Sequence, residues 1–132
     1  MMTTQTAVQI TTPEGLPGFN DARSWTLETN DDAAFVMLRS NDHPGVSLVL
    51  GDPWTLAPGY EPDLPDADLA DIGVKDASEV ALYVVVGIDA SRHLAWLNLA
   101  APLALNAETA VARQVILDRQ GWPVRHPVAL DG

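Results

Sequence analysis

Val80-Ala-Leu-Tyr-Val-Val-Val-Gly-Ile88 places Val, Leu, Val, Val and Ile at the even positions and Ala, Tyr, Val and Gly between them. A period of two marks a strand, because successive side chains leave a pleated backbone on opposite faces. β-branched residues lose χ1 freedom in a helix and pack well on a sheet, so the composition agrees with the period. As a strand, this stretch buries its even face completely and most of its odd face. It belongs at the centre of a sheet, with neighbours on both edges and other elements covering it.

Just upstream, Asp76-Ala-Ser-Glu79 has the form of a capping-box turn. Asp66-Ala-Asp-Leu-Ala-Asp-Ile-Gly73 is the one convincing helix. Its acids lie in the first turn, Leu69 and Ile72 share a face, and Gly73 stands where a left-handed C-cap belongs. Before it runs a Pro-rich passage, Pro58-Gly-Tyr-Glu-Pro62 and then Pro65, and before that Gly51-Asp-Pro-Trp54 ends a strand. Four alternating runs come earlier: Thr4 to Thr11, Ser24 to Glu28, Phe35 to Arg39, and one whose inward face is Val46, Leu48 and Leu50. The double turn Pro13-Glu-Gly-Leu-Pro-Gly18, anchored by Phe19, and the turns Asn30-Asp-Asp32 and Asn41-Asp-His-Pro-Gly45 separate them.

Downstream, Asp89-Ala-Ser-Arg92 is a turn, and Leu97, Leu99, Ala101, Leu103 and Leu105 then recur at every second position. Pro102 cannot donate to a ladder, so this is two strands or one strand bent at a bulge. A turn at Asn106-Ala-Glu-Thr109 precedes a last long strand, Val111 to Leu117, containing Arg113 and Gln114; Gly121 to Pro127 is an irregular closing segment. Eight or so short strands with short turns and one helix make a small antiparallel β-barrel or sandwich.

At 132 residues the chain is expected to be one domain, with a core large enough to need no staples. There is no cysteine, which removes disulfides and thiolate metal sites. The opening residues have neither a basic nor an apolar signal region, and no apolar run approaches the roughly 20 residues of a membrane span. A soluble cytoplasmic protein is the expectation. The charge says more: 18 Asp and Glu against 7 Lys and Arg, a formal net of −11 and a pI near 4.3. Such a surface repels phosphate backbones and argues against direct nucleic-acid binding. It suits a basic protein partner through complementary fields, although an acidic surface also simply keeps a protein soluble.

The candidate interaction residues follow from that charge. Between Glu61 and Glu79 stand Glu61, Asp63, Asp66, Asp68, Asp71, Asp76 and Glu79 against a single Lys75. Rim ion pairs are worth only about 0.2–1 kcal/mol each, so apolar anchors must supply affinity. Trp54 and Tyr60, in the adjoining Pro-rich loop, are the candidate anchors; the alternative is that they pin the loop to the core. Asn98 and Asn106 flank Pro102 and either meet a partner backbone or satisfy backbone groups at the bend. Arg113 is expected to pair with an internal carboxylate.

No catalytic constellation emerges. Ser24, Ser40, Ser47, Ser78 and Ser91 sit in no Gly-x-Ser-x-Gly turn, and His43, His93 and His126 have no metal-ligand spacing. Asp66-x-Asp68-x-x-Asp71 lacks the Gly and terminal Glu of a calcium loop. No phosphate-binding glycine motif occurs, and no metal or cofactor is called for. The remaining alternative is a small ligand-binding or hydrolytic barrel whose site is assembled from His43, His126 and Asp52.

Taken in order, several of these pieces resemble one family. They are Pro13-Glu-Gly-Leu-Pro-Gly-Phe19, Asp52-Pro53, Tyr60-Glu-Pro62, Leu69 to Gly73, Asn98-Leu-Ala-Ala-Pro102 with Asn106, Gln114-Val-Ile-Leu117 and Arg125-His-Pro127. The chain resembles the FliW flagellar assembly factors over nearly its whole length, with Thr12 standing where that family usually has an aromatic. The resemblance implies a mostly β, small single-domain, antiparallel β-barrel-like fold with one short helix, spanning 1–132. It also implies a non-enzymatic cytoplasmic regulator. FliW proteins bind flagellin and the translational repressor CsrA, a small basic RNA-binding dimer, and so couple flagellin translation to filament assembly. From its charge and its lack of an apolar span, this chain is expected to have no direct nucleic-acid partner and no membrane partner.

Overall fold

The computed structural model describes residues 5–16, 18–30 and 34–130. Nine strands form one sheet: β1 (Gln5–Thr11), β2 (Ser24–Asn30), β3 (Phe35–Ser40), β4 (Ser47–Gly51), β5 (Val80–Asp89), β6 (Leu94–Leu97), β7 (Leu103–Asn106), β8 (Val111–Gln114) and β9 (His126–Ala129). Two short helices, α1 (Pro53–Leu56) and α2 (Asp66–Asp71), lie between β4 and β5. Thr4, Pro17 and the acids of the Asn30-Asp-Asp32 turn lie outside the described residues.

Seven strands close into a barrel in the order β4-β3-β2-β1-β8-β7-β5, with β5 returning to β4. Every pairing is antiparallel except β1 with β8, a parallel contact at Thr11 and Val111 supported by a Thr11 N–H to Ala110 carbonyl bond of 3.0 Å. β5 is the long member. It pairs with β7 through Val80–Tyr83, with β6 through Val86–Asp89, and with β4 through Val84–Val86. Outside the ring, β6 carries β9.

Both faces of β5 are used, and they serve different cores. Ala81, Tyr83 and Val85 pack on the barrel interior, where Ile10, Trp25, Leu27, Leu38, Leu50 and Leu103 are buried. Leu82, Val84 and Val86 point the other way and are also buried. Leu82 lies under Leu64, Leu69, Ile72 and Val74; Val84 and Val86 lie with Ala57, Tyr60, Leu97 and Leu99. The large aliphatic face therefore looks out of the barrel, onto a cover made by residues 53–74 and the closing segment. The two ends of the face depart from full burial: Val80 is partly buried, and Ile88 is half exposed beyond the end of that cover.

The run Leu97 to Leu105 is two strands, β6 and β7, broken at Asn98–Pro102. The expected long strand at Val111–Leu117 ends at Gln114 for a related reason. The Val115 and Leu117 N–H groups still bond the carbonyls of Pro102 and Ala100 at 2.8 Å, continuing the register. Pro102 has no N–H to return, so the ladder there is one-sided. The irregular closing segment contains a strand after all, β9, with Pro127 in it. The Leu130 N–H bonds the His93 carbonyl at 2.7 Å, which sets the alternation and leaves residue 127 facing the open edge. Proline is tolerated there, and its missing donor blunts the edge against further pairing.

Thr12 occupies a wholly buried position. Its hydroxyl donates to the Ala22 carbonyl at 3.0 Å and accepts from the Trp25 indole N–H at 3.0 Å; that N–H also reaches the Ala22 carbonyl at 3.2 Å. A small polar residue thus closes the first turn onto the largest side chain of the barrel core. Thr12→Val keeps the shape and removes both bonds, so a loss of about 1–2 kcal/mol is expected. A lower urea midpoint at unchanged slope is the readout; an unchanged midpoint contradicts the assignment.

Candidate interaction surface

The cover over β5 begins with α1. Asp52 caps it, accepting from the Trp54 N–H and the Thr55 hydroxyl, both at 3.0 Å, and Pro53 takes the first helical position, where no N–H is needed. Asp52-Pro53 is thus a helix start as well as a strand end, which adds a second helix to the one expected. Gly51 permits it: a Cβ there would stand 2.7 Å from the Leu56 side chain. The turn throws Trp54 outward, 53% exposed, while Tyr60 beyond it is only 3% exposed.

Tyr60 is fastened from three sides. Its hydroxyl donates to the Leu99 carbonyl at 2.6 Å, its ring meets Trp122 edge-on at 4.7 Å, and Trp54 tilts against it at 6.1 Å. Burial pushes its pKa up to about 12. The Gln120 amide then ties the Pro-rich loop to the closing segment. It donates to the Asp63 carbonyl at 2.6 Å and accepts from the Asp63 N–H at 2.9 Å and the Trp122 indole at 3.2 Å. Trp54 is therefore an exposed aromatic on a rigid base, and Tyr60 is part of that base.

α2 ends as its sequence leads one to expect. Gly73 has φ +75°, its N–H bonds the Ala70 carbonyl at 3.0 Å, and the Val74 N–H reaches back to Leu69 at 2.9 Å. That is a Schellman motif, with Leu69 and Val74 packed in one cluster. The next turn is a short 3₁₀ segment, Ala77–Glu79, with the Asp76 carboxylate accepting from the Ser78 N–H at 3.0 Å.

Asp76 and Glu79 apart, the acidic residues of this segment divide into two groups. Glu61, Asp63 and Asp66 are exposed to solvent. Asp68 and Asp71 turn toward Arg113 on β8: Nε to the Asp68 carboxylate is 2.7 Å, and Nη1 to Asp71 is 3.5 Å. Glu14, from the first turn, pairs with the same guanidinium. The Asp68 hydrogen bond, reinforced by the charges of Glu14 and Asp71, raises the Arg113 pKa further. Arg113 so staples the first turn and α2 to the barrel.

The other singled-out residues serve the backbone. The Asn98 side chain accepts from the Ala100 N–H at 3.2 Å. Buried Asn106 accepts from the Glu108 and Thr109 N–H groups and donates to the Ile72 carbonyl at 2.9 Å, holding the end of α2. His43 pairs with Asp21 at 3.2 Å, Asp52 caps α1, and His126 lies in β9 opposite Leu97. None of His43, His126 and Asp52 lines the hollow between the first turn, α2 and β8 or the smaller one adjoining it, and no metal-holding His, Asp or Glu group occurs among the described residues. Sequence reasoning missed Gln120 and Trp122, whose only signal was polar and aromatic residues in a stretch without period. It also missed Arg125 lying 4.6 Å over the Trp96 ring.

Tyr60 makes the cover pH-sensitive on the alkaline side. The folded state binds its proton more tightly than the unfolded chain does, whose phenol titrates near 10. The contribution is complete below pH 10 and is lost as pH rises toward 12, an effect of about 2–3 kcal/mol. Partly buried Tyr83, also raised by desolvation and by the Asp52 charge, acts in the same direction. Tyr60→Phe is expected to flatten much of the alkaline fall in urea midpoint while lowering the neutral-pH midpoint; an alkaline limb of unchanged depth contradicts this.

The FliW protein family profile matches residues 1–128. The flagellar assembly factor FliW of Symbiobacterium thermophilum is 33% identical over 118 residues, 88% of this chain and 86% of that one. The FliW of Geobacillus thermodenitrificans is 31% identical over 113 residues, 86% of this chain and 78% of that one. A crystal structure of the flagellar assembly factor FliW superposes with a TM-score of 0.82 at 28% identity, covering 94% of this chain and 86% of that one. With a family match over nearly all of its residues and the same fold in a solved relative, the chain belongs to the FliW family of flagellar assembly factors.

Proposed function

We propose that this chain is a non-enzymatic regulator of the cytoplasm, a single FliW-like domain that binds flagellin and antagonises the basic repressor CsrA by protein–protein contact. The observation that carries this reading is family membership, joined to an exposed Trp54 resting on Tyr60 and to the solvent-facing acids Glu61, Asp63 and Asp66 of the loop and helix that follow. A pre-positioned aromatic is the kind of side chain that dominates binding energy, and a rim of like charge steers a partner of opposite sign. The net charge of −11 extends that field over the whole molecule. No helix among the described residues is long and apolar enough to cross a membrane.

Within the acidic set, Glu61, Asp63 and Asp66 are assigned to steering, Trp54 to anchoring, and Tyr60, Asp68 and Asp71 to holding the surface in shape. Calorimetric titration with the host's own CsrA and, separately, its flagellin tests the reading; heat with neither partner overturns it. Asp63→Lys combined with Asp66→Lys leaves the Arg113 staple untouched. It is expected to slow association with CsrA several-fold at low salt and to weaken its salt dependence, with the unfolding midpoint unchanged. An unchanged on-rate at low salt removes the steering role. Trp54→Ala is expected to weaken binding about tenfold or more, chiefly through faster dissociation.

A further inference from the structure

Two adjoining hollows have none of Trp54, Tyr60, Glu61, Asp63 and Asp66 in their lining. The larger, about 410 Å³, runs between the first turn, the end of α2 and β8; Glu14, Asp71 and Arg113 stand on its walls, with Ile72 and Ile116 beside them. The smaller, about 230 Å³, is lined by Phe19, Leu48, Leu50 and Val85 together with Asn98. Leu16 and Gln114 line both, so the two form one groove in two compartments.

Its chemistry is asymmetric. Three carboxylates, Glu14, Asp68 and Asp71, meet the single guanidinium of Arg113, so the larger compartment keeps an excess of negative charge. Glu14 and Asp71 are mostly exposed and can reach an incoming cation. The smaller compartment is apolar apart from two amides. Gln114 uses its Nε2 on the Ala101 carbonyl at 2.9 Å, and Asn98 uses its Oδ1 on the Ala100 N–H. Those bonds settle which way each amide points. Among the described residues they leave the Gln114 carbonyl oxygen as an acceptor and the Asn98 amide nitrogen as a donor, the two groups that one peptide unit of a passing chain requires. Ile116, 56% exposed, adds apolar surface at the rim.

From this we infer that the groove holds an extended segment of a protein partner, with one aliphatic side chain in the smaller compartment and a Lys or Arg against Glu14 and Asp71. The inference rests on the reading of the chain as a protein-binding regulator, and it gives that regulator a second, peptide-reading surface. Charge selects the occupant: an acidic or neutral segment would leave the excess carboxylate charge uncompensated. The amides contribute main-chain recognition without sequence preference, so specificity resides in the cation and the aliphatic residue.

The test uses the full chain and a defined probe set: six-residue acetylated, amidated peptides with one Leu and one Lys at spacings of one to four, and counterparts with Ser for Leu or Glu for Lys. Two-dimensional NMR follows the side-chain amide signals of Asn98 and Gln114. Leu/Lys peptides of at least one spacing are expected to shift both signals with saturation below millimolar, and the counterparts to bind at least tenfold more weakly. Ile116→Lys, at an exposed position, is expected to weaken the Leu/Lys peptides about tenfold at an unchanged unfolding midpoint. The inference is overturned if no Leu/Lys peptide moves these signals, if the shifts centre on Trp54, if the Glu counterparts bind equally, or if a second copy of the chain fills the groove on dilution-dependent signals. Calorimetry with whole flagellin and CsrA fails or succeeds independently. Binding of a whole partner with a silent peptide panel removes the groove alone, and peptide binding without either partner removes the regulatory reading alone.

Discussion

β5 packs against a core on each face from Ala81 to Val86 and has strands on both edges, and most of the molecule is a consequence. Its odd residues complete a barrel core that a closed ring of strands supplies for itself. Its even residues, Leu82, Val84 and Val86, cannot be satisfied by any ring, because they look outward. Burying a large aliphatic side chain is worth about 1.5–3 kcal/mol, so three of them together rival the net stability of an ordinary domain. The segments that cover them are therefore part of the folding unit.

That cover is Pro-rich and mostly irregular, which creates a backbone problem. A loop laid against a core cannot leave its N–H and carbonyl groups unpaired, and it has no ladder to pair them in. Individual side chains supply the partners: Tyr60 to Leu99, Gln120 to Asp63, Asn106 to Ile72 and to its own turn, Asp52 to α1. Among the described residues no buried side-chain nitrogen or oxygen lacks a partner. The polar residues that look like recognition groups in the sequence are in large part consumed here.

This explains what the sequence made legible. Strands of period two announced themselves, β1 to β4 by alternation of apolar and polar residues and β5 by alternation of large and smaller apolar ones, and the Gly73 stop of α2 was readable too. β9 was hidden because its pattern is interrupted by Pro127, a residue that excludes a strand everywhere except at an edge, and edges are set by the rest of the sheet. α1 was hidden because a single turn has no period; only its Asp-Pro cap signals it. Acidity could be counted from composition, but its division could not. Asp66 and Asp68 are two apart in sequence, yet one faces water and the other faces Arg113, forty-five residues away in the chain.

The division has a physical consequence for the surface. Cations are few, and the structure uses several of them locally: Arg39 with Glu28, Arg92 with Asp89, Arg113 with three carboxylates, and Arg125 on the Trp96 ring. Carboxylates outnumber them, so an acidic excess must remain somewhere, and self-repulsion disfavours the compact state wherever it collects. Part of that excess stands on the cover, at Glu61, Asp63 and Asp66, in the stretch that follows Tyr60, against whose ring the outward-facing Trp54 tilts. Here the backbone is clamped by Gln120 and Tyr60 and does not have to yield to the repulsion. The basic partner proposed above would relieve that repulsion as it docked, so the strength of the acidic field and the rigidity of its support would work together.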